Sequence, residues 1–419
     1  MQLSAGKVRH SSESAHKTAD GFIFAIVFLG FAQATVGQFV AHGVPLFLRD
    51  AGQPSHNNGL VYIASIPYIL KVLWAPLIDR YGFSCVGHFR SWVIGGQISA
   101  FVLLLALATG DPSETPYQLI VTVLLLMIAM ATQEASVSGL MVKQLAPQDR
   151  ALGSAYRAAG SALAGVIVGA GALYLLADFG WTVVVTALAA GVGLSVVIVI
   201  LLSLDRGNPP PTKPPSFISQ FTLFKDQRAR RLLVVKIFVG LGVALTYGLK
   251  SIVLIDAGYS VADAALISLV IGGVVAFVSV ISVRPFVERF GGYSVLAVVG
   301  LGVAIFCSAF AFLFTSKLNM ADAAVFVLVA NALTFAAYPA SRALLMGYCG
   351  KERAATDFAA FGSAEGVFLL AVAGIGATLA DQLGFSNLLA VAAAGSSLGA
   401  LFAWRSRQDE DTLQQRGVG

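Results

Sequence analysis

Trp74-Ala75-Pro76-Leu77-Ile78-Asp79-Arg80-Tyr81-Gly82 and Pro285-Phe286-Val287-Glu288-Arg289-Phe290-Gly291 are two forms of one phrase. Each closes an apolar run with a proline, then sets an acid, an arginine, an aromatic and a glycine in order. A second echo pairs Gln148-Asp149-Arg150-Ala151 with Lys351-Glu352-Arg353-Ala354. Asp79 and Glu288 lie 209 residues apart, Arg150 and Arg353 203 apart, so the two echoes share one register. Between the copies runs Asn208-Pro-Pro-Pro-Thr-Lys-Pro-Pro215. Prolines at that density make a semi-rigid, non-helical tether, the natural boundary between two repeats.

What is repeated is apolar. Of 419 residues, 57% are hydrophobic and 12% charged, with a mean hydropathy of +0.81. A soluble domain carries about 25% charged residues. Length here therefore counts membrane crossings of about 20 residues each. Apolar runs fall at 21–45, 58–78, 91–110, 118–141, 152–176, 181–203, 232–255, 262–284, 293–315, 322–347, 358–380 and 386–404. In lipid the backbone must satisfy its own hydrogen bonds, so these are helices; the short alternating segments of a strand barrel are absent. The expected architecture is an all-α polytopic membrane protein of about 12 transmembrane helices in two six-helix halves. The expected segments are a polar tail (1–20), a first half (21–203), a linker (204–231), a second half (232–404) and a closing tail (405–419).

Of 27 Lys and Arg, four fall at membrane depth and three (Arg49, Lys250, Lys317) on one side; all others fall on the opposite side. Basic residues are retained on the cytoplasmic side. Both termini are therefore expected in the cytoplasm, and the spread of basic residues argues against nucleic acid as a partner. Cys85, Cys307 and Cys349 have no metal-ligand spacing and are expected as free thiols.

A six-helix unit repeated twice is how major facilitator proteins are built. The segment Trp74–Tyr81 resembles the W-[AS]-P-L-x-D-R signature of muropeptide permeases and of siderophore importers of the RhtX/FptX type. It is their version of the acidic-basic-glycine loop of the superfamily. Phe83 and Ser84 depart from it, standing where a basic pair usually follows the glycine. The resemblance covers the whole chain in topology and about ten residues in detail. It implies a conformational role for Asp79, Arg80 and Gly82, and for Glu288, Arg289 and Gly291. Muropeptide permeases are typically longer, so the compact chain is more similar to the siderophore importers. That resemblance implies inward carriage of a ferric siderophore across the bacterial inner membrane, by a single chain acting as a monomer, with proton symport as an accompanying expectation. A permease for muropeptides or another amphipathic organic anion is the alternative. An intramembrane enzyme or a sensor is disfavoured.

Ionisable residues at membrane depth are costly and mark function by default. Here they are Lys71, Glu134, Arg157, Lys236, Arg342 and Glu365, on the second, fourth, fifth, seventh, tenth and eleventh helices. The third, sixth, ninth and twelfth carry none, as lipid-facing helices should. On the tenth, Asn331, Thr334, Tyr338, Ser341 and Arg342 recur at spacings of three and four, one face of a helix. That face lines a substrate path or, more plainly, packs against another helix. Glu134 with Arg157, and Arg342 with Glu365, sit at matching depths on consecutive helices with charges exchanged; the first pair is expected as a brace and the second as a switch. Lys71 stands between Tyr68 and Trp74, too deep to snorkel easily, whereas Lys236 is near enough to an interface to do so. Gln33, Gln38 and Tyr247 complete the expected substrate-binding set. Four cations against two carboxylates favour an anionic ligand.

No catalytic constellation, metal set or cofactor motif is expected. There is no G-x-x-x-x-G-K-[ST]. Gly395-Ser-Ser-Leu-Gly399 matches G-x-S-x-G in letters only, since that motif needs a strand-to-helix elbow. In an apolar helix its small residues permit close packing, and Gly165 and Gly169 are read the same way.

Overall fold

The computed structural model describes residues 21–45, 47, 66–110, 116–201, 219–314 and 318–415. They are helical almost throughout, and among the described residues ten helices are long and apolar enough to cross a membrane. The helices are α1 (Gly21–Ala41), α2 (residues 66–80), α3 (His88–Thr109), α4 (Pro116–Gln144), α5 (from Arg150) and α6 (ending at Leu201). After the undescribed 202–218 come α7 (Gln227–Asp256), α8 (Val261–Phe290), α9 (Gly292–Leu313), α10 (Met320–Tyr348), α11 (from Ala354) and α12 (ending at Gln415). Twelve is an approximate count of crossings. Helix α7 is not among the ten, part of it (247, 248, 251 and 252) having side chains outside the described residues, and the start of α2 also lies outside them.

Local chemistry sets the breaks. Gly180 (φ 74°) separates α5 from α6 and Gly384 (φ 78°) separates α11 from α12; side chains rarely tolerate that left-handed conformation, and glycine does. Asp226 and Asn319 cap α7 and α10 by accepting from Arg228 N and Asp322 N. Pro76 has no N–H to donate back, and the turn before it, Lys71–Leu73, tightens to 3₁₀.

Several expected boundaries move. Arg284, Glu288 and Arg289 lie inside α8, not in a loop, and Pro285 is accommodated within it. The expected linker, 204–231, ends early: Ser219–Lys225 is a 3₁₀ turn and α7 begins at Gln227. The closing tail is helical to Gln415. Arg90, expected in a loop, is buried in α3, where it donates to Val199 O and Ile200 O. It thereby occupies orphan carbonyls at the end of α6, where a cation is favoured.

Helices α3, α6, α9 and α12 expose large apolar side chains, among them Val102, Leu194, Val298, Ile305 and Leu401, but so does α8 with Val274, Val278 and Phe286, so exposure does not single out the expected lipid-facing set. Glycines set the close approaches. A Cβ on Gly160 would stand 2.1 Å from Val27 O and one on Gly30 2.4 Å from Arg157 O, so α1 and α5 meet backbone to backbone. A Cβ on Gly399 would reach 2.6 Å from Val239 N, which is the packing role expected for that stretch of α12. Gly165 behaves otherwise: it opens a π-helical segment, Gly165–Ala170, and makes no such approach. The side chain of residue 169 lies outside the described residues. Across the two halves, α5 packs on α8 and α10, while α11 packs on α2 and α4.

Candidate functional site

The six charges expected at membrane depth form two clusters of three. In the first, Glu134 on α4 accepts from Lys71 on α2, with Arg157 on α5 at 4.0 Å. Arg157 also donates to Ser138 Oγ (2.8 Å) and Gln33 Oε1 (2.9 Å), which ties α1, α4 and α5 together. In the second, Glu365 on α11 meets Lys236 on α7 at 3.0 Å and Arg342 on α10 at 3.8 Å. Both expected pairs are present, but each is the longer contact of a triad whose nearer cation is a lysine. Lys236 does not snorkel: its side chain is 14% exposed and turned to Glu365. Once the ammonium is buried, its carboxylate partner offsets a charge that would otherwise stand uncompensated.

The clusters face one another. Lys71 Nζ and Arg342 Nη1 lie 3.5 Å and 4.0 Å from where a Cβ on Gly362 would sit, so the absent side chain leaves both cations looking onto one spot of α11. Arg342 stacks on Tyr338 and Phe358, its guanidinium carbon 5.1 Å and 5.2 Å from the ring centres, and its buried Nη1 makes no hydrogen bond. Lys71 lies 5.6 Å from the Tyr68 ring centre. A free N–H of a buried guanidinium, beside a lysine across the half boundary, is the arrangement an anion would complete.

The polar face of α10 divides. Thr334 and Ser341 spend their hydroxyls on Ala330 O and Tyr338 O within the helix, the plainer packing role. Asn331, Tyr338 and Arg342 reach outward, Asn331 accepting from Lys250 Nζ at 2.6 Å. Lys250, expected near an interface, is buried. Gln38 is half-buried on α1, beside the π-helical segment of α5. The side chain of Tyr247 lies outside the described residues.

The two echoed loops behave differently. Asp79 is fully buried, and its carboxylate oxygens accept from Ala355 N (3.0 Å) and Thr356 N (2.7 Å) at the start of α11. A carboxylate at a helix N-terminus is favoured by orphan amides and by the dipole. Burial nonetheless pushes the Asp79 carboxyl up to about 6, against the pull of those donors. Glu288 pairs instead with Arg284 on its own helix (2.7 Å), more than a third exposed. It borders a cavity of about 520 Å³ with Arg150, Ala151, Leu344 and Tyr348. Arg80 lies over the Tyr81 ring and Arg289 over Phe290. A Cβ on Gly82 would strike His88, and Gly291 takes φ 80°. Cys349 stands near the Asp79 contact; burial pushes its thiol well above its ordinary value, with Asp357 and Asp79 adding to the rise. All three cysteines are free. Among the described residues no group of His, Cys, Asp and Glu could hold a metal ion.

The family model described as Major Facilitator Superfamily matches residues 22–371. A putative transporter, AmpG 4, of Rickettsia conorii is 24% identical over 360 residues, covering 82% of this chain and 86% of the relative. The anhydromuropeptide permease of Escherichia coli K12 is 23% identical over 392 residues, 91% of this chain and 79% of the permease. Among solved structures, a bacterial homologue of the iron transporter ferroportin in an outward-facing state superposes with a TM-score of 0.73 at 17% identity, covering 93% of this chain and 99% of that one.

Proposed function

The chain belongs to the Major Facilitator Superfamily, and from that premise we propose that this multi-pass membrane transporter carries an amphipathic organic anion of the anhydromuropeptide class into the cytoplasm. The observation that carries the proposal is the pair of facing clusters. Four cations (Lys71, Arg157, Lys236, Arg342) against two carboxylates (Glu134, Glu365) leave two positive charges in excess, and the free Arg342 N–H lies across Gly362 from Lys71. A low-dielectric site with excess positive charge is paid for by an anionic cargo.

The cargo class draws on two relatives. Both the Rickettsia transporter and the Escherichia coli permease are AmpG-type or muropeptide permeases in name. This chain and the Rickettsia relative cover each other almost equally and are thus of similar size, so chain length does not favour a siderophore importer. Support therefore moves from the ferric siderophore to the alternative.

The Lys/Arg bias supports the Asp79 face as the cytoplasmic one, with both termini inside. The Asp79–α11 contact then holds that face shut, ready for cargo from the periplasm. Arrival of an anion at Arg342 loosens Glu365 from its longer contact, and the freed carboxylate is the site we assign to proton coupling. Accumulation of radiolabelled anhydromuropeptide in the cytoplasm tests this. A strain lacking the gene is expected to lose it and to shed the label into the medium. Unchanged muropeptide recovery, with failed growth on one ferric siderophore, would restore the earlier reading.

A further inference from the structure

Arg150 opens α5 and enters neither cluster. Among the described residues its guanidinium joins no ion pair, and its buried Nε makes no hydrogen bond. It lies against α10 of the other half, with Nη1 3.3 Å from where a Cβ on Gly347 would sit. It also lines the cavity of about 520 Å³, whose lining carboxylate, Glu288, is held by Arg284 at 2.7 Å. An arginine that borders open space without a partner calls for an anion. Two helices begin at the same cavity, α5 at Arg150 and α9 at Gly292, and neither has a side-chain cap. Their orphan amides favour negative charge as well.

The seam continues into apolar ground. A second cavity, of about 300 Å³, shares Glu288 with the first and is lined by Tyr156 of α5 and Ile281 of α8. From Glu288 to Ile281 is about 10 Å of helix, directed into the membrane. Val274, Val278 and Ile281 then form an exposed stripe on α8, at spacings of four and three. Lipid tails are as apolar as these side chains and cover them without cost. A free anion would use the polar end of this seam alone, whereas a phospholipid uses both ends.

We infer that the seam between α5 and α8 binds an anionic phospholipid, its phosphate on Arg150 and its first acyl carbons along Tyr156 and Ile281. Basic pockets between membrane helices on the cytoplasmic side take such headgroups. The site draws on both halves, Arg150 from the first and α8 to α10 from the second. The lipid therefore favours arrangements in which those elements stay together. Glu288 is its internal competitor, since the same carboxylate that holds Arg284 faces the place of the phosphate.

The test is thermal unfolding of the purified full-length protein in neutral detergent, titrated with short-chain phosphatidylglycerol, short-chain phosphatidylcholine or inorganic phosphate. Phosphatidylglycerol is expected to raise the unfolding temperature saturably. It should bind roughly tenfold more tightly than phosphatidylcholine, whose choline cation would meet Arg284, as a charge-assisted contact requires. Inorganic phosphate at the same concentrations should give no shift. Arg150→Gln should abolish the preference, and Arg150→Lys should keep part of it. Glu288→Gln leaves both arginines without a carboxylate and should strengthen phosphatidylglycerol binding, a gain that damage to the fold would not produce. Equal binding of the two lipids, a preference that survives Arg150→Gln, or no gain in Glu288→Gln overturns the site. An equal shift with inorganic phosphate makes it a site for free anions and overturns the lipid. The cargo proposed for the two clusters is read by uptake and stands or falls separately.

Discussion

Asp79 and Glu288 occupy the same place in two copies of one phrase, yet only Asp79 reaches the opposite half. Its carboxylate is enclosed by two amides of α11, while Glu288 turns back to Arg284 beside an open cavity next to Arg150. The local sequence accounts for the difference in part. Glu288 has Arg284 as its neighbour at i−4 on the same helix, whereas the residue four before Asp79 is Ala75, which offers no charge. A repeat in sequence therefore need not be a repeat in contact: of the two carboxylates, Asp79 is the one that bonds to the other half.

The largest effects expected are on the buried charges. Glu134→Gln and Glu365→Gln each leave two cations without their carboxylate, a loss of about 3–5 kcal/mol for a broken buried pair. Both should lose most folded protein in a thermal or expression assay. The nearer lysines decide what repairs them. Exchanging Glu134 and Arg157 would put an arginine against Lys71, so the exchange should not recover folding, contrary to what an isolated brace predicts. Full recovery would mean that Lys71 is not the partner that matters.

Next comes the latch. Asp79→Ala removes the acceptor for two amides and should cut initial uptake at least tenfold, given about 1.5–3 kcal/mol per charge-assisted bond. Glu288→Ala should change it less than about twofold, as exposed pairs contribute about 0–1 kcal/mol. Cys349 reports the opening: it should react faster with a membrane-impermeant maleimide in Asp79→Ala and unchanged in Glu288→Ala. Equal effects from the two carboxylates would erase the asymmetry.

The smallest effect is on pH. Burial raises the Asp79 carboxyl to about 6 in the closed arrangement, above its value when exposed. Protonation therefore adds to closure, an addition fully present below the ordinary carboxylate range and lost as pH rises through about 6, above which the ionised carboxylate still accepts from the two amides. Spin labels at Phe83 and Lys351, both exposed, should move apart between pH 5 and 7.5. Asp79→Asn should flatten that response.

Much of this was readable in the chain. Apolar length gave the helices, because lipid leaves the backbone no other solution. The α10 spacing placed Asn331, Tyr338 and Arg342 on one face. Partners were harder. Lys71 and Glu134 are 63 residues apart, and no periodicity tells which helices meet or how they are turned. Lys236 looked like an interface residue because depth was counted from an assumed helix start at 232; α7 begins five residues earlier, which carries Lys236 deeper. A cation is unwelcome inside a span, so Arg90 reads as a loop residue, yet carbonyls at the end of α6 accept its guanidinium within α3. The capture of Asp79 by α11 left no mark in composition at all, since Ala355 and Thr356 take part through their backbone.

The most direct test of the anionic cargo held between the clusters is uptake into proteoliposomes containing the purified protein. The measured quantity is initial accumulation of radiolabelled anhydromuropeptide under an inward proton gradient, with a ferric siderophore as the rival cargo. The account predicts saturable muropeptide uptake, lost in Arg342→Met and partly kept in Arg342→Lys, with no accumulation of the iron complex. Accumulation of the siderophore alone, or muropeptide uptake unchanged by Arg342→Met, would contradict it.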